Sequence, residues 1–209
     1  MMMQDETRER KGCAEMPQAD EVAAAWERIV GWLHRHAPAS AEALRPGASD
    51  EEIARLNESL GFEIPDVLEV WLRMNNGSTA KDSEKPIPGG GIARLPHRDS
   101  IIFPDGMRFL GCKEIAGRHA EYLHIAGDIG DGDYWKTPWI PIMETSDGPY
   151  GILLDTQTPP GSPSLLSFSE GDYPSSYLPS LGAFLQPLAD LLETGGAPRV
   201  TGGRICWTD

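Results

Sequence analysis

The chain has 209 residues, 40% of them apolar, with six tryptophans, which is enough to bury one ordinary to large core and argues against a disordered protein. Its formal net charge is −14, and no apolar run approaches the roughly 18–20 residues that a bilayer crossing needs, so nucleic acid and membrane are both disfavoured as partners. Cys13, Cys112 and Cys206 are far apart and odd in number, which makes a poor disulfide framework and leaves no C-x-x-C pair for zinc or redox chemistry.

Residues 1–19, "MMMQDETRERKGCAEMPQA", are charged and lack the apolar centre of an export signal, so they read as a flexible leader and the protein as cytoplasmic. Val22, Trp26, Ile29, Val30 and Leu33 recur at helical spacing and predict a helix over 20–36. "PGASDEEIARLNESLG" carries a complete set of helix signals: Ser49 to cap, Glu52 to close a capping box and Gly61 as a left-handed stop. A second helix starts at Pro65, buries Val67, Leu68, Val70, Trp71, Leu72 and Met74, and leaves through Asn75-Asn76-Gly77. Residues 78–100, rich in Gly, Pro, Lys and Asp, read as a long exposed loop. "SIIFP" and "MRFL" flank the turn Pro104-Asp105-Gly106 as short strands, and Ile115, His119, Tyr122, Leu123 and Ile125 predict a further helix.

Three strands follow in "WIPIME", "GILLD" and "SLLSFSE", with Pro141 placing the first at a sheet edge or at its own beginning. Ser180 caps a last helix carrying Leu181, Phe184, Leu185, Leu188, Leu191 and Leu192, kinked near Pro187; residues 196–209 form a tail that would add an edge strand. The expected class is α+β: one domain over 20–195, with a central mixed or antiparallel sheet packed by N-terminal helices and a C-terminal helix.

Catalytic patterns are scarce. G-x-S-x-G and H-E-x-x-H are absent, and no cysteine has a recognisable nucleophile context. In "GDIGDGD" the acids have the wrong spacing for a calcium loop, and the twelfth position counted from Asp128 is Trp139 rather than Glu. No enzyme activity, metal or cofactor is expected. The more informative pattern is acids interleaved with aromatics. Between Arg118 and Arg199 stand 11 acids against Lys136 alone, so this segment contributes −10 of the −14. Asp128, Asp131, Asp133, Tyr134, Trp135, Asp147, Tyr150, Asp172 and Tyr173 are the candidate partner-binding residues, because tyrosine and tryptophan anchor interfaces while carboxylates complement basic partners. Trp139 and Phe168 read as strand core, and a merely solvated acidic face is the competing reading.

"LRPGASDEEIARLNESLGFEIPDVLEVWLRMNNGS", followed by "WIPIMETSDGPYGILLDTQTPPGSPSLLSFSE" and "SLGAFLQPLADLLE", resembles the SUKH superfamily over about residues 22–195. That superfamily includes the fungal Smi/Knr regulators of cell-wall glucan synthesis and many bacterial proteins. The chain departs from it at Gly151-Ile152, where relatives often carry Gly-Asp or Gly-Asn. The resemblance implies a non-catalytic α+β domain. For a bacterial member it implies an immunity protein that binds and neutralises a polymorphic toxin, of nuclease or deaminase type; a basic toxin domain is the expected partner. A regulatory scaffold that binds cellular proteins is the alternative.

Overall fold

A computed structural model describes residues 17–79, 83–95, 98–145, 149–157, 163–195 and 198–207. Helix α1 (Gln18–His36) places Val22, Trp26, Ile29 and Leu33 on one buried stripe. A short helix not anticipated from the sequence, α2 (Pro38–Ala43), follows after a single residue, with Pro38 supplying a helical φ at its first position. In α3 (Asp50–Leu60), Ser49 Oγ accepts from the Glu52 N–H at 3.2 Å and the Glu52 carboxylate accepts from the Ser49 N–H at 2.9 Å. Gly61 closes that helix at φ 81°. Helix α4 (Asp66–Met74) has Pro65 as its cap rather than within its first turn.

Asn75 and Asn76 look like turn chemistry but act as tie points. The Asn75 side chain accepts from Trp26 Nε1 of α1 at 2.9 Å and donates to the Arg45 carbonyl at 2.8 Å. Asn76 donates to Glu52 at 2.8 Å and accepts from the Cys112 N–H at 2.7 Å. The left-handed residue of this exit is Gly77, at φ 76°, where a Cβ would collide with the backbone of Gly111.

The 78–100 stretch is not the loop expected. Strands β1 (Ser83–Ile87) and β2 (Gly91–Leu95) pair antiparallel, and Gly89 and Gly90 supply positive φ at the turn. Pro86 within β1 and the lack of alternation hid the hairpin. Of the two strands expected around Pro104–Gly106, only β3 (Met107–Phe109) forms; Ile102 and Phe103 are buried without joining the sheet. Helix α5 (Cys112–Ile129) leads into β4 (Trp139–Thr145), β5 (Gly151–Asp155), β6 (Ser164–Phe168) and β7 (Ser175–Leu178). β7, "SSYL", carries no apolar alternation and escaped the sequence reading.

The central sheet runs β3-β4-β5-β6-β7 and is wholly antiparallel. Pro141 therefore lies in an interior strand, not at an edge. It is tolerated because the register shifts between Pro141 and Met143, and because pairing with β3 stops at Met143, so its missing N–H breaks no rung there. Helix α6 (Leu181–Glu193) starts with Ser180 Oγ accepting from the Ala183 N–H at 3.1 Å and continues through Pro187. The tail does not extend the central sheet. β8 (Arg199–Thr201) and β9 (Arg204–Cys206) pair with each other and lean on α2, where Ser40 Oγ accepts from the Ile205 N–H.

Both faces of the sheet are covered. Ile140, Met143, Ile152, Leu154 and Leu165 join the helices in the main core, where Trp71 stacks on Phe109 at 3.8 Å and meets Trp26 edge-on at 5.4 Å. Leu153 and Phe168 face the other way, into a smaller cluster with Tyr122, Ala126, Trp135 and Trp139. Helix α5 serves both: Cys112 and Ile115 sit in the main core, while Tyr122 and Ala126 close the second cluster. That crossing delivers the end of α5 to the turns of the sheet.

Candidate functional site

Three connections converge beside the second cluster. The first is the exit from α5. Gly130 turns the chain at φ 69°, the Asp131 N–H donates to the Ala126 carbonyl, and Asp131 Oδ1 accepts from the Asp133 N–H at 3.0 Å. The second is the β6–β7 turn, where Gly171 adopts φ 79° and Ser169 Oγ donates to Asp172 at 3.1 Å. The third closes β4–β5, with the Thr145 N–H donating to the Tyr150 carbonyl. Tyr173 joins the first two by donating its hydroxyl to Asp131 Oδ2 at 2.6 Å. Tyr134, Pro149, Ser169, Asp172 and Pro174 then line one shallow crevice over Trp135.

The Tyr173 hydroxyl, helped by the Asp133 N–H, holds the Asp131 carboxyl below the usual carboxylate range, while the same bond raises the Tyr173 phenol. Asp131 is thus charged at neutral pH and oriented. Lys136 lies 3.1 Å from Asp133 and 5.1 Å from the Trp139 ring centroid, and His124 lies 3.4 Å from Asp128. Exposed pairs of this kind contribute about 0–1 kcal/mol.

Asp131, Asp133, Tyr134, Asp172 and Tyr173 are therefore brought together, with Tyr150 at the adjoining turn and Asp128 near the end of α5. Tyr150 and Tyr173 are exposed, at 46% and 61%. Trp135 is not: expected at the surface, it is 3% exposed. It packs 4.3 Å from Tyr122, 5.3 Å from Phe168 and 6.0 Å from Trp139 in ring-centroid distance, and so supports the crevice from beneath. Asp147 lies outside the described residues. Ile129, two residues before Asp131, is also exposed, at 57%, and was not among the residues expected at a surface.

Elsewhere the chemistry is quiet. His119 is buried and held neutral by desolvation, with Nε2 2.7 Å from the Thr137 carbonyl. A groove of about 410 Å³ between α3 and α5 is lined by Glu52, Arg55, Leu56, Ser59, Cys112, Lys113 and Ala116. Its Cys112 thiol is pushed up to about 11, chiefly by burial, so the thiolate that would act as a nucleophile is scarce at neutral pH. Among the described residues no three His, Cys, Asp or Glu side chains converge as metal ligands, and no helix is long and apolar enough to cross a membrane.

No curated protein matches the chain. The model of the SMI1/KNR4 family (SUKH-1) matches residues 47–186, about two thirds of its length, from the turn before α3 to the middle of α6. The chain belongs to the SMI1/KNR4 (SUKH-1) family.

Proposed function

We propose that this protein is a cytosolic immunity protein that binds a basic toxin domain and neutralises it through the acidic, aromatic end of the sheet. Family membership supports a non-catalytic domain. The observation that carries the more specific reading is the contact between Tyr173 and Asp131, which ties two separate loops into one surface of oriented carboxylates flanked by exposed rings. Nuclease clefts are basic where they hold phosphates, so a surface in a segment of charge −10 competes with nucleic acid and accelerates encounter. Free Cys112 and Cys206 fit a reducing compartment.

The test begins with affinity capture from the source cell at low and high salt, identified by mass spectrometry. The captured protein is then expressed in a sensitive host with and without this chain. One dominant basic protein that is released by salt, arrests growth alone and is tolerated in the presence of this chain is the expected result. Capture of several unrelated housekeeping proteins, none of them toxic, would replace the immunity reading with the regulatory scaffold.

A further inference from the structure

We infer that β7 is a docking edge: the partner adds an extended, lysine- or arginine-bearing segment to the central sheet alongside Ser175–Leu178. This deepens the proposed function and rests on the reading of the acidic surface. The two ends of the sheet are unlike. At β3 the Ser78 N–H donates to the Phe109 carbonyl, so a chain segment already covers that edge. At β7, among the described residues, no further strand follows. Ser175, Ser176 and Leu178 are matched with β6 and the register shifts at Tyr177; in an antiparallel edge strand the N–H and C=O groups that do not face β6 turn outward. Ser175, Ser176 and Tyr177 are exposed, and the two serines are too small to shield those groups.

Natural edges are blunted by short length, lysine, proline within the strand, a β-bulge or cover; β7 is short and shifts register at Tyr177, but it carries neither lysine nor proline. Here the prolines, Pro174 and Pro179, flank the strand rather than interrupt it, which limits an added strand to these four residues and sets its register. Charge identifies the occupant. Glu170, Asp172 and Asp131 stand at the entry to the edge, and no lysine or arginine lies between Lys136 and Arg199 to repel a basic segment. A strand laid there would direct alternate side chains toward Tyr177 and Phe184 on one face and Leu166 on the other.

The probe is a short blocked peptide of alternating lysine and valine, together with two versions N-methylated at alternate residues, one in each register. Affinities are measured at low salt, and amide exchange is followed at 175–178. Expected are tight binding of the parent and of one methylated version, binding about tenfold weaker for the other, and slowed exchange at alternate β7 amides. Equal binding of both methylated versions without β7 protection, or no binding at all, would overturn strand addition. If both methylated versions bound equally and Asp131→Lys, Asp133→Lys and Asp172→Lys together abolished that binding, the acidic surface would stand without the edge. A dimer of the free protein with β7 amides protected would assign the edge to a second copy and also overturn the inference.

Discussion

Glu144 offers the most demanding check on the physical account. Its side chain is 3% exposed; Arg118 Nε approaches Oε2 at 2.8 Å, Tyr122 donates to Oε1 at 3.0 Å, and Arg108 lies opposite it in the β3–β4 register. Burial nevertheless raises the carboxyl above its ordinary range, against the pull of Arg118 and Tyr122. The negative charge is therefore held at the expense of its hydration, and the shape and hydrogen bonds matter more than the charge. Glu144→Ala, which leaves the buried Tyr122 hydroxyl without its acceptor and Arg118 with Glu121 alone, should destabilise by about 2 kcal/mol more than a Gln replacement, about 3 kcal/mol in all. Glu144→Gln retains the volume and an acceptor for Tyr122, and should lose only about 1 kcal/mol at pH 7. The pH dependence has a definite sign. With the folded carboxyl above the unfolded value of about 4.3, the folded state binds the proton more tightly. The Glu144 contribution is therefore greatest below pH about 4.3 and declines as pH rises through the folded value, so the wild type gains on Glu144→Gln as pH falls. Urea unfolding of the three proteins between pH 7 and pH 4 measures this. Equal losses for Gln and Ala at pH 7, or a wild-type advantage independent of pH, would refute the reasoning.

Gly151→Ala should destabilise by about 3 kcal/mol in thermal unfolding, because its Cβ would collide with the Met143 carbonyl and lie 2.7 Å from the Phe168 ring; a near-neutral result would show that the sheet yields there. Trp71→Ala should lose about 4 kcal/mol by urea unfolding, since the ring is fully buried and stacked on Phe109; a loss near 1 kcal/mol would mean that the cavity collapses. Tyr173→Phe should raise the Asp131 carboxyl toward the ordinary value of about 3.9 in an NMR titration while leaving the thermal midpoint unchanged; an unmoved titration would remove Tyr173 as the cause of the depression.

Local signals in the sequence were enough for elements whose residues act on their own neighbourhood. Ser49, Glu52 and Gly61 bound α3 through contacts at most a few residues apart, and the apolar runs of β4 and β5 mark strands buried on both faces, with β6 half-buried. Legibility failed where distant elements decide. Which way Leu153 points, and that Trp135 is buried within a run of Asp and Gly, follows from α5 crossing to the far side of the sheet and bringing Tyr122 against Trp135. β1 and β7 contain Pro or Ser where strands usually alternate, and β2 opens on Gly91, so pairing rather than propensity creates them. The acids of the candidate surface were visible as a charge imbalance. Their meeting at one place depends on two turns with glycine at positive φ, Gly130 and Gly171, and on the hydroxyl of Tyr173.

The central claim is that oriented carboxylates at this end of the sheet hold a basic partner. Its most direct test is the affinity of the captured partner, measured across a salt series, for the wild type and for the Asp131→Lys, Asp133→Lys, Asp172→Lys variant. Steep salt dependence in the wild type, and weaker, flatter binding by a variant of unchanged thermal midpoint, is the predicted result. Equal affinity and an equal salt slope would contradict it.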